Sequence, residues 1–181
     1  MEGGAIHSNH TSANLSGGGV YLHENATFIM TGGDICYNTA HSGGGIFCQA
    51  GSLVDISGGI IFENESNFGG GLNVGTVNAT ISGGIIYKNS AAIQGGGIYA
   101  SATFTLKGNT TVSTNTSPTG GGIFAALTIN ICDNVFVKHN KNSIDNTNSN
   151  IYLRVGFYIN ISDNDNSTYD DLFSGEIHVY T

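Results

Sequence analysis

The sequence predicts an all-β chain wound as a single-stranded parallel β-helix, with three strands per coil and six to seven coils. Two interlocked periodicities and one alternation predict it. Asn9, Asn38, Asn64, Asn89, Asn115 and Asn140 recur at intervals of 29, 26, 25, 26 and 25 residues. Glycine triplets beginning at Gly17, Gly43, Gly69, Gly95 and Gly120 recur at 26, 26, 26 and 25. A fixed period of this size, sustained along a chain, belongs to a repeat architecture rather than to one globular core. Between these marks lie short segments that alternate apolar and polar residues, the period of a strand.

The first segment follows each triplet: Val20-Tyr21-Leu22, Ile46-Phe47-Cys48, Leu72-Asn73-Val74, Ile98-Tyr99-Ala100 and Ile123-Phe124-Ala125, with Ile151-Tyr152-Leu153 continuing the series. Its outer members are apolar and point inward, so the middle ones face out. The second segment runs Phe28-Ile29-Met30, Val54-Asp55-Ile56, Ala79-Thr80-Ile81, Phe104-Thr105-Leu106, Ile129-Asn130-Ile131 and Ile159-Asn160-Ile161. The third leads into each asparagine, from Ile6-His7-Ser8-Asn9 to Val137-Lys138-His139-Asn140. A last strand is expected at Glu176-Ile177-His178-Val179.

Consecutive segments lack the two-residue links of hairpins. Each matches its equivalent one period away, so pairing between successive coils must be parallel. A propeller blade needs about 40 residues, more than this period provides. The crossover rule makes the helix right-handed. The repeated asparagine then belongs inside a corner, each amide donating to one neighbour and accepting from the other, which satisfies groups costly to bury bare. The triplets leave room for that corner, where a Cβ would crowd the next coil. Residues 1–162 form the repeats, and residues 163–181 a closing loop and strand that can act as a cap.

Composition narrows the functions. Thirteen acidic against five basic residues give a formal charge of −8. The cations Lys88, Lys107, Lys138, Lys141 and Arg154 form no stripe, which disfavours nucleic acid and anionic membranes as partners. No apolar run approaches a membrane-spanning helix. Residues 1–6 lack the basic and apolar regions of a signal peptide and enter directly into a repeat. Targeting signals are therefore expected outside this segment. The cysteines Cys36, Cys48 and Cys132 form no metal or disulfide pattern, so they are expected as thiols.

These repeats resemble those of the polymorphic outer membrane proteins of bacterial pathogens, whose motifs are G-G-A-[ILV] and F-x-x-N. Gly3-Gly4-Ala5-Ile6 matches the first motif in full, and Gly44-Gly45-Ile46 and its equivalents match with glycine in the alanine place or with the alanine position shifted. The second occurs as I-x-x-N or V-x-x-N, with Ile35, Ile61, Ile86, Val112 and Val137 where the family favours Phe. The resemblance covers residues 3 to 161. It implies a right-handed β-helix displayed at the cell surface or secreted, an adhesin that attaches to protein or glycan on another cell surface. It supplies no binding residues.

The outward aromatics Tyr21, Phe47, Tyr99, Phe124 and Tyr152 are the candidate binding surface, able to pack on a sugar or a protein. Their alternative role is to stack on one another and shield the sheet. A pectin lyase-like, polysaccharide-active enzyme fragment is the other class to weigh, and a purely structural spacer a third. The enzyme would need clustered carboxylates, usually with a cation. The outward column of the second segment, Ile29, Asp55, Thr80, Thr105, Asn130 and Asn160, offers one carboxylate, so no catalysis is expected. Ile29 and Asp55 also interrupt the flat threonine array that ice binding needs. Neither cofactor nor metal is expected. The alternative is calcium on Asp163, Asp165, Asp170 and Asp171, but Thr168 and Ser174 stand where an EF-hand-type loop has Gly and Glu. His7 and His10 form H-x-x-H without a third ligand.

Overall fold

The computed structural model describes residues 1–12, 14–75 and 79–162. Three six-stranded parallel sheets run the length of a solenoid of six coils. The first sheet contains Val20–Leu22, Ile46–Cys48, Leu72–Val74, Ile98–Ala100, Ile123–Ala125 and Ile151–Leu153. The second contains Thr27–Met30, Leu53–Ile56, Ala79–Ile81, Phe104–Leu106, Ile129–Cys132 and Ile159–Ser162. The third contains Ala5–His7, Asp34–Cys36, Ile60–Phe62, Ile85–Tyr87, Thr111–Ser113 and Phe136–Lys138. A short fourth sheet, Glu65–Phe68, Ser90–Gln94, Thr116–Ser117 and Lys141–Asn142, lies between the asparagine and the glycine triplet. Three strands per coil therefore understates the middle coils, where backbone following the corner is extended enough to pair once more. The strand expected at residues 176–179 and the closing segment lie outside the described residues.

Register follows the repeat. Ile35 pairs with Ile61, Ile61 with Ile86, Ile86 with Val112 and Val112 with Val137. Like side chains therefore stack at roughly 4.8 Å, the spacing of hydrogen-bonded strands. The inward members form one continuous core: Ile35, Ile46, Leu72, Ile81, Ile98, Leu106 and Ile123 have no accessible surface. Removing such a side chain from water contributes about 2 to 3 kcal/mol.

Two corners use glycine differently. Register places Ala5 opposite Asp34 and Ile6 opposite Ile35. Gly3-Gly4 thus belongs with Gly32-Gly33, Gly58-Gly59 and Gly83-Gly84, at the turn from the second sheet to the third, and not with the triplets it was grouped with on sequence. Gly4, Gly33, Gly59 and Gly84 adopt φ of 80, 86, 88 and 88° there. The triplets serve the corner before the first sheet. A Cβ on the middle glycine Gly96 would run into the carbonyl oxygens of Gly121 and Thr116, so that position admits no side chain. The third glycine, Gly97, would place its Cβ 2.9 Å from Asn115 Nδ2, because the triplet packs against the buried amides.

Those amides form an unbroken ladder. Nδ2 donates to Oδ1 of the next rung from Asn9 to Asn38 (2.9 Å), Asn38 to Asn64 (3.0 Å), Asn64 to Asn89 (3.0 Å), Asn89 to Asn115 (3.1 Å) and Asn115 to Asn140 (3.0 Å). The backbone N–H of each asparagine donates to the same Oδ1. The second Nδ2 hydrogen goes to a carbonyl one coil back, as from Asn38 to Ile6 (3.0 Å) and from Asn89 to Ile61 (2.9 Å). Asn38, Asn64, Asn89, Asn115 and Asn140 are wholly inaccessible. Each of these amides therefore uses both donors and fills its oxygen twice, which is what makes its burial tolerable.

The corner has a cost that sequence inspection missed. The residue before each asparagine, namely Ser8, Tyr37, Glu63, Lys88, Thr114 or His139, is left-handed, with φ between 51 and 58°. None is glycine, so each carries a penalty of about 1 kcal/mol that the amide bonds offset. The ladder also gains a rung outside the regular series. Asn140 N–H and Nδ2 both donate to Asn150 Oδ1, at 3.1 Å. Pairing of Ile123 with Ile151 puts Asn150 where Gly122 lies one coil earlier. Where the triplet is lost, a side chain turns inward and supplies the next acceptor.

Candidate functional site

The aromatics of the first sheet stand on its outer side as alternation requires, yet most of their ring surface is spent on one another. Tyr21 stacks on Phe47 with centroids 5.2 Å apart and planes 20° off parallel. Tyr99, Phe124 and Tyr152 form a second stack at 5.3 and 5.1 Å, with interplanar angles of 3 and 7°. Strand spacing suits offset stacking, so the fold imposes this arrangement. Asn73 breaks the row; it is buried and donates through Nδ2 to Ser42 Oγ (3.2 Å). Phe68, from the fourth sheet, meets Tyr99 edge-on at 5.6 Å.

Phe124 retains only 6% of its surface, so the expectation that it faces solvent as a binding residue is corrected. Its two neighbours cover its faces. Phe47, Tyr99 and Tyr152 are half-buried, and Tyr21 is exposed, its hydroxyl donating to Gln49 Oε1 (3.1 Å). Gln94 and Arg154 join Tyr99, Phe124 and Tyr152 around an open depression of ≈ 310 Å³.

A second apolar surface was not anticipated. On the outer side of the third sheet, Ile60 pairs with Ile85 and Phe62 with Tyr87, which places four apolar side chains in one block. Phe62 stacks on Tyr87 (5.3 Å, 21°), and Tyr37 meets Phe62 edge-on (5.6 Å, 74°). Ile85 keeps 42% of its surface and Tyr37 54%. Lys88 and Glu63 form an ion pair at 3.5 Å on the rim, with the Lys88 ammonium 5.7 Å from the Tyr87 ring centroid. The Glu63 carboxylate beside Tyr37 holds the phenol above its ordinary range by accepting its hydrogen bond and by charge repulsion of the phenolate. In the same outer column, where Cys36 pairs with Phe62, burial pushes the Cys36 thiol up, with Asp34 and Glu63 adding to the effect. Burial does the same to Cys48 more strongly.

The signal for this surface was present. Ile60-Ile61-Phe62 and Ile85-Ile86-Tyr87 are apolar at three consecutive positions, and a strand can hide only alternate ones. The third segment begins one residue earlier than its alternation suggested, at Asp34, Ile60 and Ile85, and that residue was left out of the outward set.

The outward column of the second sheet is as expected. Pairing joins Ile29, Asp55, Thr80, Thr105, Asn130 and Asn160 in one line. It is polar beyond Ile29, with Asn160 Nδ2 donating to Asn130 Oδ1 at 2.7 Å. Asp55, Thr80, Ser82 and Lys107 border a shallow depression there. One carboxylate facing hydroxyls and amides offers hydrogen bonds but not the paired acid and base of glycoside hydrolysis. The calcium alternative, Asp163, Asp165, Asp170 and Asp171, lies outside the described residues.

The chain matches no protein-family model, no curated protein and no solved structure. The parallel β-solenoid is thus established by its own pairing and ladder. Among the described residues no helix is long and apolar enough to cross a membrane.

Proposed function

We propose that this chain is a non-catalytic, adhesin-like β-solenoid segment, secreted or held at a cell surface, that attaches to protein or glycan on another cell surface. The observation that carries the proposal is the outer block of Ile60, Phe62, Ile85, Tyr87 and Tyr37. It presents apolar and aromatic surface to solvent on a rigid sheet, rimmed by an ion pair. Exposed apolar surface of this kind, ringed by polar groups, marks interaction sites. The formal charge of −8 turns the chain away from nucleic acid and toward neutral or basic partners.

The resemblance to polymorphic outer membrane protein repeats supports the same reading. Register joins Gly-Gly-x-Ile and Ile-x-x-Asn into one unit, Gly3 to Asn9, Gly32 to Asn38, Gly58 to Asn64 and Gly83 to Asn89, as one corner, strand and corner. Labelled protein titrated onto host cells and onto arrays of glycans and surface proteins tests the proposal. Saturable binding that falls at least tenfold in an Ile85→Ser/Tyr87→Ser double variant supports it. Binding indifferent to that change, or release of reducing or unsaturated sugar ends, contradicts it.

A further inference from the structure

On the middle four strands of the third sheet the outward side chains fall into three columns. In-register pairing lines up Asp34, Ile60, Ile85 and Thr111 in the first and Cys36, Phe62, Tyr87 and Ser113 in the second. The left-handed residues Tyr37, Glu63, Lys88 and Thr114 form the rim beside them. Along the coils, apolar residues occupy the two central strands, Ile60–Phe62 and Ile85–Tyr87. The acid Glu63 follows the first and the base Lys88 the second, 3.5 Å apart. The strand beyond on one side carries the Asp34 carboxylate, and the strand beyond on the other carries the Thr111 and Ser113 hydroxyls.

This order is self-complementary about one two-fold axis. The axis runs along the strand direction, midway between Ile60–Phe62 and Ile85–Tyr87, and turns a second copy face to face with its solenoid antiparallel. Ile60 then meets Ile85 of the second copy, and Phe62 meets Tyr87. Glu63 meets Lys88, and the Asp34 carboxylate meets the Thr111 hydroxyl. Moving the axis onto either central strand sets Glu63 against Glu63 or Lys88 against Lys88. An axis along the solenoid reverses the strands and presses Ile60 and Ile85 onto the charged rim, where the ions lose water without gaining a partner. A patch that complements itself in this way is the requirement of a two-fold interface.

We propose that the block on the third sheet docks onto the same block of a second copy of this chain, antiparallel and face to face. The inference rests on the reading of that block as an adhesive surface and names its partner. Four strands at about 4.8 Å and four residues at about 3.3 Å make a face of roughly 19 by 13 Å. That is well below the roughly 800 Å² per partner of a stable complex, so the contact is weak and reversible. The charge of −8 on each copy opposes association, and the alternating square of two Glu63 and two Lys88 offsets it at the rim. Antiparallel rods are the arrangement of chains reaching toward one another from facing surfaces, which suits attachment.

The test is analytical ultracentrifugation of the intact chain, over about a hundredfold range of concentration up to about 1 mM, with charge swaps at the rim. The expected result is a reversible monomer–dimer equilibrium. Glu63→Lys and Lys88→Glu each weaken it about tenfold, because both attractive contacts across the axis become repulsive. Glu63→Lys also lowers the net negative charge, which by itself favours association, so its weakening isolates the local contact. An equimolar mixture of the two variants associates again, since every contact across the axis once more joins opposite charges. An exposed ion pair contributes little to folding, so both variants keep their circular dichroism. A chain that stays monomeric, or a dimer indifferent to the swaps or not rescued in the mixture, overturns the proposal. If the chain is monomeric while its cell binding still falls in the Ile85→Ser/Tyr87→Ser variant, this inference fails and the adhesive reading stands. A rescued dimer with cell binding indifferent to that variant upholds the inference and overturns attachment to cells.

Discussion

Two stacks run along the same coils at the same spacing, one of amides inside and one of rings outside. The amide stack is unbroken from Asn9 to Asn150. The ring stack fails at Asn73, where a buried amide takes the aromatic place. The difference lies in what a missing member costs. A lost ring leaves neighbours that can repack or meet water, and Phe68 moves alongside Tyr99. A lost amide strands buried donors and a carbonyl in a corner that water cannot reach. Uniform recurrence therefore marks structural constraint in this chain, and variation marks the surface left free for recognition.

Substitutions can break or sharpen that contrast. Outside the amides the largest effect is expected at Gly96→Ala, whose Cβ meets two carbonyl oxygens of the next coil. A loss of about 4 kcal/mol or more, or failure to fold, is the expected outcome in urea titration. Gly3→Ala meets nothing within 4 Å and serves as the neutral control. Phe124→Ala removes a ring packed on both faces and should cost about 3 kcal/mol by the same assay. Thr114→Gly acts in the opposite direction. It relieves a β-branched residue held at φ 57° and should raise stability by about 0.5 to 1 kcal/mol. Ile85→Ser on the third sheet should change stability by less than about 1 kcal/mol while lowering cell binding, so the two readouts separate there.

The architecture was legible because a solenoid repeats its constraints. The period, the inward and outward sides of the first two segments, and the internal place of the asparagines all follow from local pattern. What escaped depends on contacts between coils. Phe124 is buried by Tyr99 and Tyr152, which no single coil reveals. Asn150 joins the ladder ten residues after Asn140, so the period conceals it. The left-handed residues before each asparagine share no side-chain type, because the ladder rather than local preference holds them there. The block around Ile85 could have been found by counting consecutive apolar residues in a strand with one solvent face.

The most direct test is the urea midpoint of Asn89→Ala against that of Asn130→Ala. Asn89 Oδ1 accepts from Asn64 N–H and Nδ2, and its own Nδ2 serves Asn115 and Ile61, all in the buried corner. Asn130 lies on the outer side of the second sheet, bonded to Asn160. Asn89→Ala is expected to lose about 3 to 5 kcal/mol and Asn130→Ala no more than about 0.5 kcal/mol. Equal stabilities for the two variants would contradict the assignment of the recurring asparagines to structure.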